Sequence, residues 1–258
     1  MNRNAPVPPT WTTGSTEVFK TGTWRAALPL HVHAPSPCHQ ACPVGGEIAE
    51  WIGHARQRDF HAAWEVLTRH NPFPAIAGRI CHHPCEPACN RAGHDEALSI
   101  CKLERFIGDA AIAQGWTLTP PATERAGHVA VIGAGPAGLS AAYQLRRRGW
   151  RVTVYEASAE PGGLMRHGIP SYRLAREVLD AEIARLVALG VQIRCNEPLA
   201  DATQFARLRA THDAVFVATG AARIKRLGAL DYRLPGVMDG AAYLAASNAG
   251  APPDLGPN

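Results

Sequence analysis

The stretch that most constrains this chain is Val129–Gly163, VAVIGAGPAGLSAAYQLRRRGWRVTVYEASAEPGG. Its pattern predicts a short apolar strand at Ala130-Val131-Ile132, followed by Gly133, Gly135 and Gly138 at G-x-G-x-x-G spacing. A helix through Ala141 and Leu145 comes next, then a second strand over Val152-Thr153-Val154-Tyr155 that ends at Glu156. Each part has a physical task in gripping a dinucleotide. The first glycine permits the tight turn, the second lets backbone approach a pyrophosphate, and the third lets the helix pack closely on the strand. The helix N-terminus, entered at Pro136 and Ala137, offers unpaired N–H groups to phosphates. Glu156, eighteen residues past Gly138, stands where a carboxylate accepts hydrogen bonds from a ribose diol. A glycine-rich loop between packed elements would leave Glu156 unexplained.

The rest of the composition fits a globular chain of two ordinary domains: 258 residues, 46% apolar and 19% charged. A formal charge of only +4, with no basic run interleaved with aromatics, gives no argument for nucleic acid. No stretch of about 18 apolar residues is present to span a bilayer, and the first twenty residues have no apolar core of a secretory leader. The expected location is cytoplasmic. In that setting seven cysteines point to metal ligation rather than disulfides.

Residues 1–36, rich in Pro, Thr and Gly without periodicity, read as an extended arm. Residues 37–118 read as a helical domain. Ile48, Trp51, Ile52 and Ala55 mark one amphipathic helix, and Phe60, Ala63, Trp64 and Leu67 a second, closed by Asn71-Pro72 and Pro74. A third runs through Leu98, Ile100, Leu103, Ile107 and Ala110 and ends near Gly115. Residues 119–127 read as a linker, and 128–258 as the dinucleotide domain.

Six of the seven cysteines fall in the helical domain. Cys38 and Cys42 precede Pro43, and Cys81, Cys85 and Cys89 follow at intervals of four. Thiolates gathered this way bind zinc or iron–sulfur. His82 and His83 keep zinc open, whereas the Cys-Pro pair and the surrounding helices favour iron–sulfur. Cys195 has no nearby partner and reads as structural. Glu104 shares a stripe with Ile100, Leu103 and Ile107, where a carboxylate needs either a charge partner or a metal. Cys101, three residues before it, could face the same object.

These residues carry a resemblance. PCHQACPVGGEIAEWI, NPFPAIAGRICHHPCEPACNR, ICKLERFIGDAA, VAVIGAGPAGLSAAYQLRRRGWRVTVYEA and PGGLMRHGIPSYRL resemble the glutamate synthase small (beta) subunit family. That group includes the flavin subunit of electron-bifurcating ferredoxin:NADP oxidoreductases and the N-terminal half of dihydropyrimidine dehydrogenase. The resemblance runs from about residue 37 to the end. It implies an α-helical domain holding [4Fe–4S] clusters, followed by an α/β Rossmann-like FAD-binding domain with a parallel sheet, here incomplete. One cluster would take Cys42, Cys81, Cys85 and Glu104. Cys38 and Cys89 match ligands of a second cluster, but the CxxC that usually precedes Cys38 is replaced by LPLHVHAPSP, with His31 or His33 as the available substitutes.

For FAD, the resemblance adds Gly163 and Leu164 of the GG loop, Arg173 of GIPSYRL near the flavin ring, Leu199 by the adenine, and Thr219-Gly220 at the end of an apolar strand over Asp213–Ala218. The second glycine fingerprint, for NAD(P)H, is expected in a domain outside this chain. No catalytic acid or base is expected, because the cofactors carry the chemistry. The reading is an oxidoreductase module that moves electrons between NAD(P)H, FAD, a [4Fe–4S] cluster and a partner subunit. Its rival is a non-catalytic, cofactor-bearing docking module of a larger reductase.

Overall fold

The computed structural model describes residues 35–221, 225–234 and 236–255. The proposed arm therefore lies outside the described residues up to residue 34, as do His31 and His33. The helical region comprises α1 (Pro37–Ala41), α2 (Ile48–Arg56), α3 (Phe60–Thr68), α4 (Pro74–Ile80), a 3-10 turn at Asn90–Gly93, and α5 (Ile100–Ala113). The three expected helices correspond to α2, α3 and α5. Asp59 starts α3 by accepting from the Ala62 amide at 3.0 Å. The sequence reading has no counterpart for α1 or α4. Both begin on a proline, a residue that breaks a helix interior but suits its first turn, where no N–H is needed.

Two glycines decide how α4 meets α5. A Cβ on Gly78 would fall 2.4 Å from the Cα of Arg105, and one on Gly108 would fall 2.3 Å from the Ala75 amide nitrogen. The two backbones touch at both places, and side chains larger than hydrogen would separate them. Trp51, Trp64, Leu67, Ile76 and Ile107 fill the space around this contact.

The α/β region follows: β1 (His128–Ile132), α6 (Pro136–Arg147), β2 (Arg151–Tyr155), α7 (Leu164–His167), α8 (Arg176–Ala188), β3 (Gln192–Arg194), α9 (Ala202–Thr211), β4 (Ala214–Val217) and α10 (Gly240–Asn248). The strands form a parallel sheet in the order β3-β2-β1-β4, with Val131 opposite Val154 on one side and Phe216 on the other. Strand order thus reverses between β1 and β4, and the carboxyl end of such a switch point is where open α/β sheets bind ligands. The apolar text of β4 suggests a buried strand. Instead it forms an edge of the sheet, with Phe216 44% and Val217 58% exposed.

From Ser36 onward the described residues form one compact unit. Trp64, Ile107 and Leu118 of the helical part share a continuous core with Leu139, Leu179 and Leu186 of the α/β part. Residues 119–127 carry no regular element but are fastened to the end of α6: Arg125 N–H donates to Gly149 O at 2.8 Å, and Arg146 pairs with Glu124. Polar bonds also join the two parts. The Tyr143 hydroxyl donates to Thr68 O, and Gln144 donates to Arg69 O at 3.0 Å. Among the described residues, no helix is long and apolar enough to cross a membrane.

The most deeply placed of these links is Glu182 on α8, which has no exposed surface. Its Oε1 accepts from the Ala75 N–H at 2.9 Å, in the first turn of α4, and its Oε2 pairs with Arg185 at 3.2 Å. Arg185 in turn donates to Trp116 O at 3.1 Å. Burial pushes the Glu182 carboxyl up to about 7, opposed by Arg185 and the Ala75 amide. Removing one member of a buried pair strands the other charge, at a cost of about 3–5 kcal/mol. Glu182→Ala should therefore lower unfolding stability by about that amount, and Glu182→Gln, which keeps an acceptor for Ala75, by less. Denaturant titration of the two variants checks the order.

Candidate functional site

The loop after α1 places Cys42, the end of α4 delivers Cys81, and the turn beyond it places Cys85. These three cysteines and Glu104 of α5 line one pocket, whose remaining wall includes Val44, Ile48, Trp51, Leu67 and Ile100. The Gly78–Arg105 contact holds the end of α4 against the turn of α5 that carries Glu104. Four of the six expected metal-ligating residues are thus brought together. Cys38 and Cys89 do not line the pocket. Cys38 Sγ lies 3.2 Å from Ser36 Oγ. Cys89 precedes the 3-10 turn, where backbone hydrogen bonds from Leu98, Arg91 and Ala92 hold its thiol below the ordinary range.

The electrostatics of the pocket favour a cation. Burial, reinforced by nearby Cys42 and Cys81, pushes the Cys85 thiol up to about 12. A metal that replaces the Cys85 proton removes the opposition to its ionisation. Burial also pushes the Glu104 carboxyl up to about 7, with Asn71 pulling it back. Among the described residues, no three His, Cys, Asp or Glu side chains are grouped as a single metal ion requires. A [4Fe–4S] cluster takes one protein ligand per iron, and the pocket lining offers four such side chains in Cys42, Cys81, Cys85 and Glu104. His83 also lines the pocket, with its Nδ1 2.9 Å from Cys81 O and its Nε2 3.6 Å from Glu86. His82 is exposed.

Two expectations at this pocket need revision. Cys101 does not face it; its thiol points at Gly78 O at 3.4 Å, capping the end of α4. Among the described residues, the hydrogen-bond partner of Glu104 is not an arginine but Asn71, whose Nδ2 donates to Glu104 Oε1 at 2.8 Å. The sequence reading treats Asn71 only as a helix stop. Its polarity beside an apolar run was the available signal.

The glycine turn follows β1 and lies at the switch point of the sheet. A Cβ on Gly133 would fall 2.4 Å from Ala218 O and 3.4 Å from Thr219 Cα, which sets the turn against the end of β4. A Cβ on Gly163 would fall 2.7 Å from Gly135 Cα, so the GG loop crosses the same turn. Gly133, Gly135, Pro136, Gly138, Gly163 and Thr219 therefore converge, with Ala137 in the first turn of α6 and Leu164, 68% exposed, at the start of α7. Gly220 follows at φ +69°. Arg173 is exposed between α7 and α8, and Leu199 is half-buried after β3. Among the described residues, neither makes a hydrogen bond to the turn.

Glu156 has a task that the sequence does not show. Its carboxylate, 8% exposed, accepts from the Ala134 N–H at 2.6 Å and from the Ser158 N–H at 2.8 Å. It holds the glycine loop in place from beneath. A carboxylate offers about four acceptor sites, so two backbone bonds leave capacity for a ribose hydroxyl. The tightest point of the turn is Gly138, where a Cβ would stand 1.9 Å from Gly133 O. Gly138→Ala should weaken dinucleotide retention by about tenfold or more and lower stability by about 1–3 kcal/mol. Dinucleotide content after gel filtration, with a melting curve, checks both.

Comparison with known proteins agrees with this geometry. The family described as dihydropyrimidine dehydrogenase domain II, 4Fe-4S cluster, matches residues 31–116. The family described as NAD(P)-binding Rossmann-like domain matches residues 131–183. The chain is 41% identical to the NAD-dependent dihydropyrimidine dehydrogenase subunit PreT of Escherichia coli K12, over 72% of this chain and 45% of that protein. It is 37% identical to the glutamate synthase [NADPH] small chain of Mycobacterium tuberculosis, over 82% and 43%. It is 34% identical to the NADP(+)-dependent formate dehydrogenase subunit beta of Moorella thermoacetica, over 89% and 36%. It spans less than half the length of each of these relatives. The relatives are NAD(P)-dependent oxidoreductase subunits, and the shared part is a helical 4Fe-4S domain followed by a Rossmann-like fold. Over the residues it shares with them, the chain is a homologue of PreT, of the glutamate synthase small chain and of the formate dehydrogenase beta subunit.

Proposed function

We propose that this chain is the FAD- and cluster-bearing part of an NAD(P)H-dependent oxidoreductase subunit that exchanges electrons with a partner subunit. The observation that carries this reading is the convergence of Cys42, Cys81, Cys85 and Glu104 on one pocket, in a helical layer joined to a dinucleotide fold through a shared core. When bound, FAD supplies hydride acceptance and the [4Fe–4S] cluster supplies one-electron transfer. The residues of the chain do the holding. Three thiolates and one carboxylate oxygen complete a four-ligand set of mixed hardness, with Ile48, Trp51, Leu67 and Ile100 as its apolar wall. On the flavin side, the first turn of α6 and the GG loop receive the pyrophosphate, and Glu156 holds the turn that shapes the cradle. FAD is favoured over a nicotinamide at this turn by the GG loop and the Thr219-Gly220 strand end, which close on it together. The naming of the relatives as subunits supports a protein partner.

The visible spectrum of anaerobically purified protein tests this. The expected result is flavin absorption with a broad shoulder that bleaches on reduction, with about four irons per chain. Cys85→Ser should lose the iron and the shoulder while the flavin stays bound. A colourless protein containing zinc overturns the reading. Flavin and iron that remain oxidised when NAD(P)H is added to the natural full-length polypeptide would mark a docking module instead.

A further inference from the structure

Asn71 lines the same pocket as the three cysteines and Glu104, yet no sulfur or metal-ligand chemistry requires an amide there. Its two ends are fixed in opposite directions. Oδ1 accepts from the Phe73 N–H at 3.0 Å, which leaves only the Nδ2 end for Glu104 Oε1, at 2.8 Å. The amide cannot flip without placing an N–H against the Phe73 N–H and an oxygen against the carboxylate. The backbone of Asn71 is itself tied to the end of α3 through its N–H to Leu67 O at 3.0 Å. Glu104 thus has one oxygen committed, while Oε2 has no hydrogen-bond partner among the described residues.

We propose that Asn71 is a positioning residue that selects Oε2 of Glu104 as the single oxygen ligand of the cluster and, by donating to Oε1, stabilises the reduced cluster. The inference rests on the assignment of Glu104 as a ligand made above. The physical reason is that a carboxylate without a fixed partner can swing, chelate through both oxygens or draw in water. One with Oε1 clamped presents a single donor in one direction. A hydrogen bond to a ligand withdraws negative charge from it, so it favours the state with the added electron.

The test swaps donor and acceptor across the pair. Asn71→Asp keeps the shape and the acceptor for Phe73, but replaces the N–H donor with a second carboxylate facing Glu104. Glu104→Gln leaves Asn71 intact, and the introduced amide must turn its oxygen to Asn71 and its N–H₂ to the pocket, where it cannot ligate. Each single variant should lose most of its iron. In the double variant the introduced amide donates to the introduced carboxylate and turns its oxygen back to the pocket. Iron content and the EPR signal of the reduced protein should recover at least severalfold over either single variant. Asn71→Ala, which removes the donor to Glu104 together with the acceptor for Phe73, should lower the midpoint potential of whatever cluster it retains.

Asn71→Asp with wild-type iron, EPR signal and potential overturns the proposal. So does a double variant no better than its parents while far-UV circular dichroism shows all of them folded. Full iron and an unchanged EPR signal in Glu104→Gln would instead overturn the ligand assignment beneath it, so the two failures are distinguishable.

Discussion

The structure depends on a buried carboxylate at the seam between its two kinds of architecture. Glu182 sits midway along α8, in the α/β part, and reaches across to the first turn of α4, in the helical part. A fully buried carboxylate is costly unless its oxygens are bonded. Here one oxygen meets the positive end of a helix and the other meets Arg185, which is itself bonded to Trp116 O and lies 5.4 Å over the Trp64 ring. Apolar side chains alone would let the two parts slide over each other. The directional bonds at Glu182, Tyr143 and Gln144 fix one registration.

That registration places the cluster pocket. α4 is only seven residues long, with its start held by Glu182 and its end passing directly into Cys81. Gly78 and Gly108 let α4 lie backbone-to-backbone on α5, which brings Cys81 and Glu104 to the same cavity. A larger residue at either glycine would shift Cys81 or Glu104, both proposed ligands, rather than merely loosen a core, because the interior around it is close-packed. The chemistry of the pocket is therefore built by residues that never touch it.

How much of this was legible in the sequence follows from which physical rules act locally. The glycine turn, α6 and β1 to β2 were legible because turn, helix and strand propensities all agree within a few dozen residues. The grouping of Cys42, Cys81, Cys85 and Glu104 was what the family resemblance implied; residue type alone showed two groups of cysteines and a carboxylate on an apolar stripe. The helix α4 was missed because Pro74 reads equally as a stop or a start, and only the approach of Glu182, over a hundred residues later, decides between them. Asn71 and the second role of Glu156 were missed for the same reason: each is a hydrogen bond to a group far along the chain. The exposure of β4 was hidden because an apolar strand reads the same at the centre and at the edge of a sheet.

One helix carries the consequence for electron transfer. At its start, Arg176 donates to Met165 O and Ile169 O, both at 3.0 Å, and so braces the segment that follows the GG loop. Two turns further on, Glu182 braces the start of α4, whose far end passes into Cys81, a proposed cluster ligand. The dinucleotide cradle and the cluster pocket are thus both fixed to α8, a rigid element of thirteen residues. Electron transfer between two centres falls off steeply with their separation, and its rate is reproducible only if that separation is. Hinged domains could bind both groups yet pass electrons erratically. The continuous core and the polar links along α8 tie the glycine turn and the cysteine pocket into one compact unit, as the proposed electron transfer between them requires.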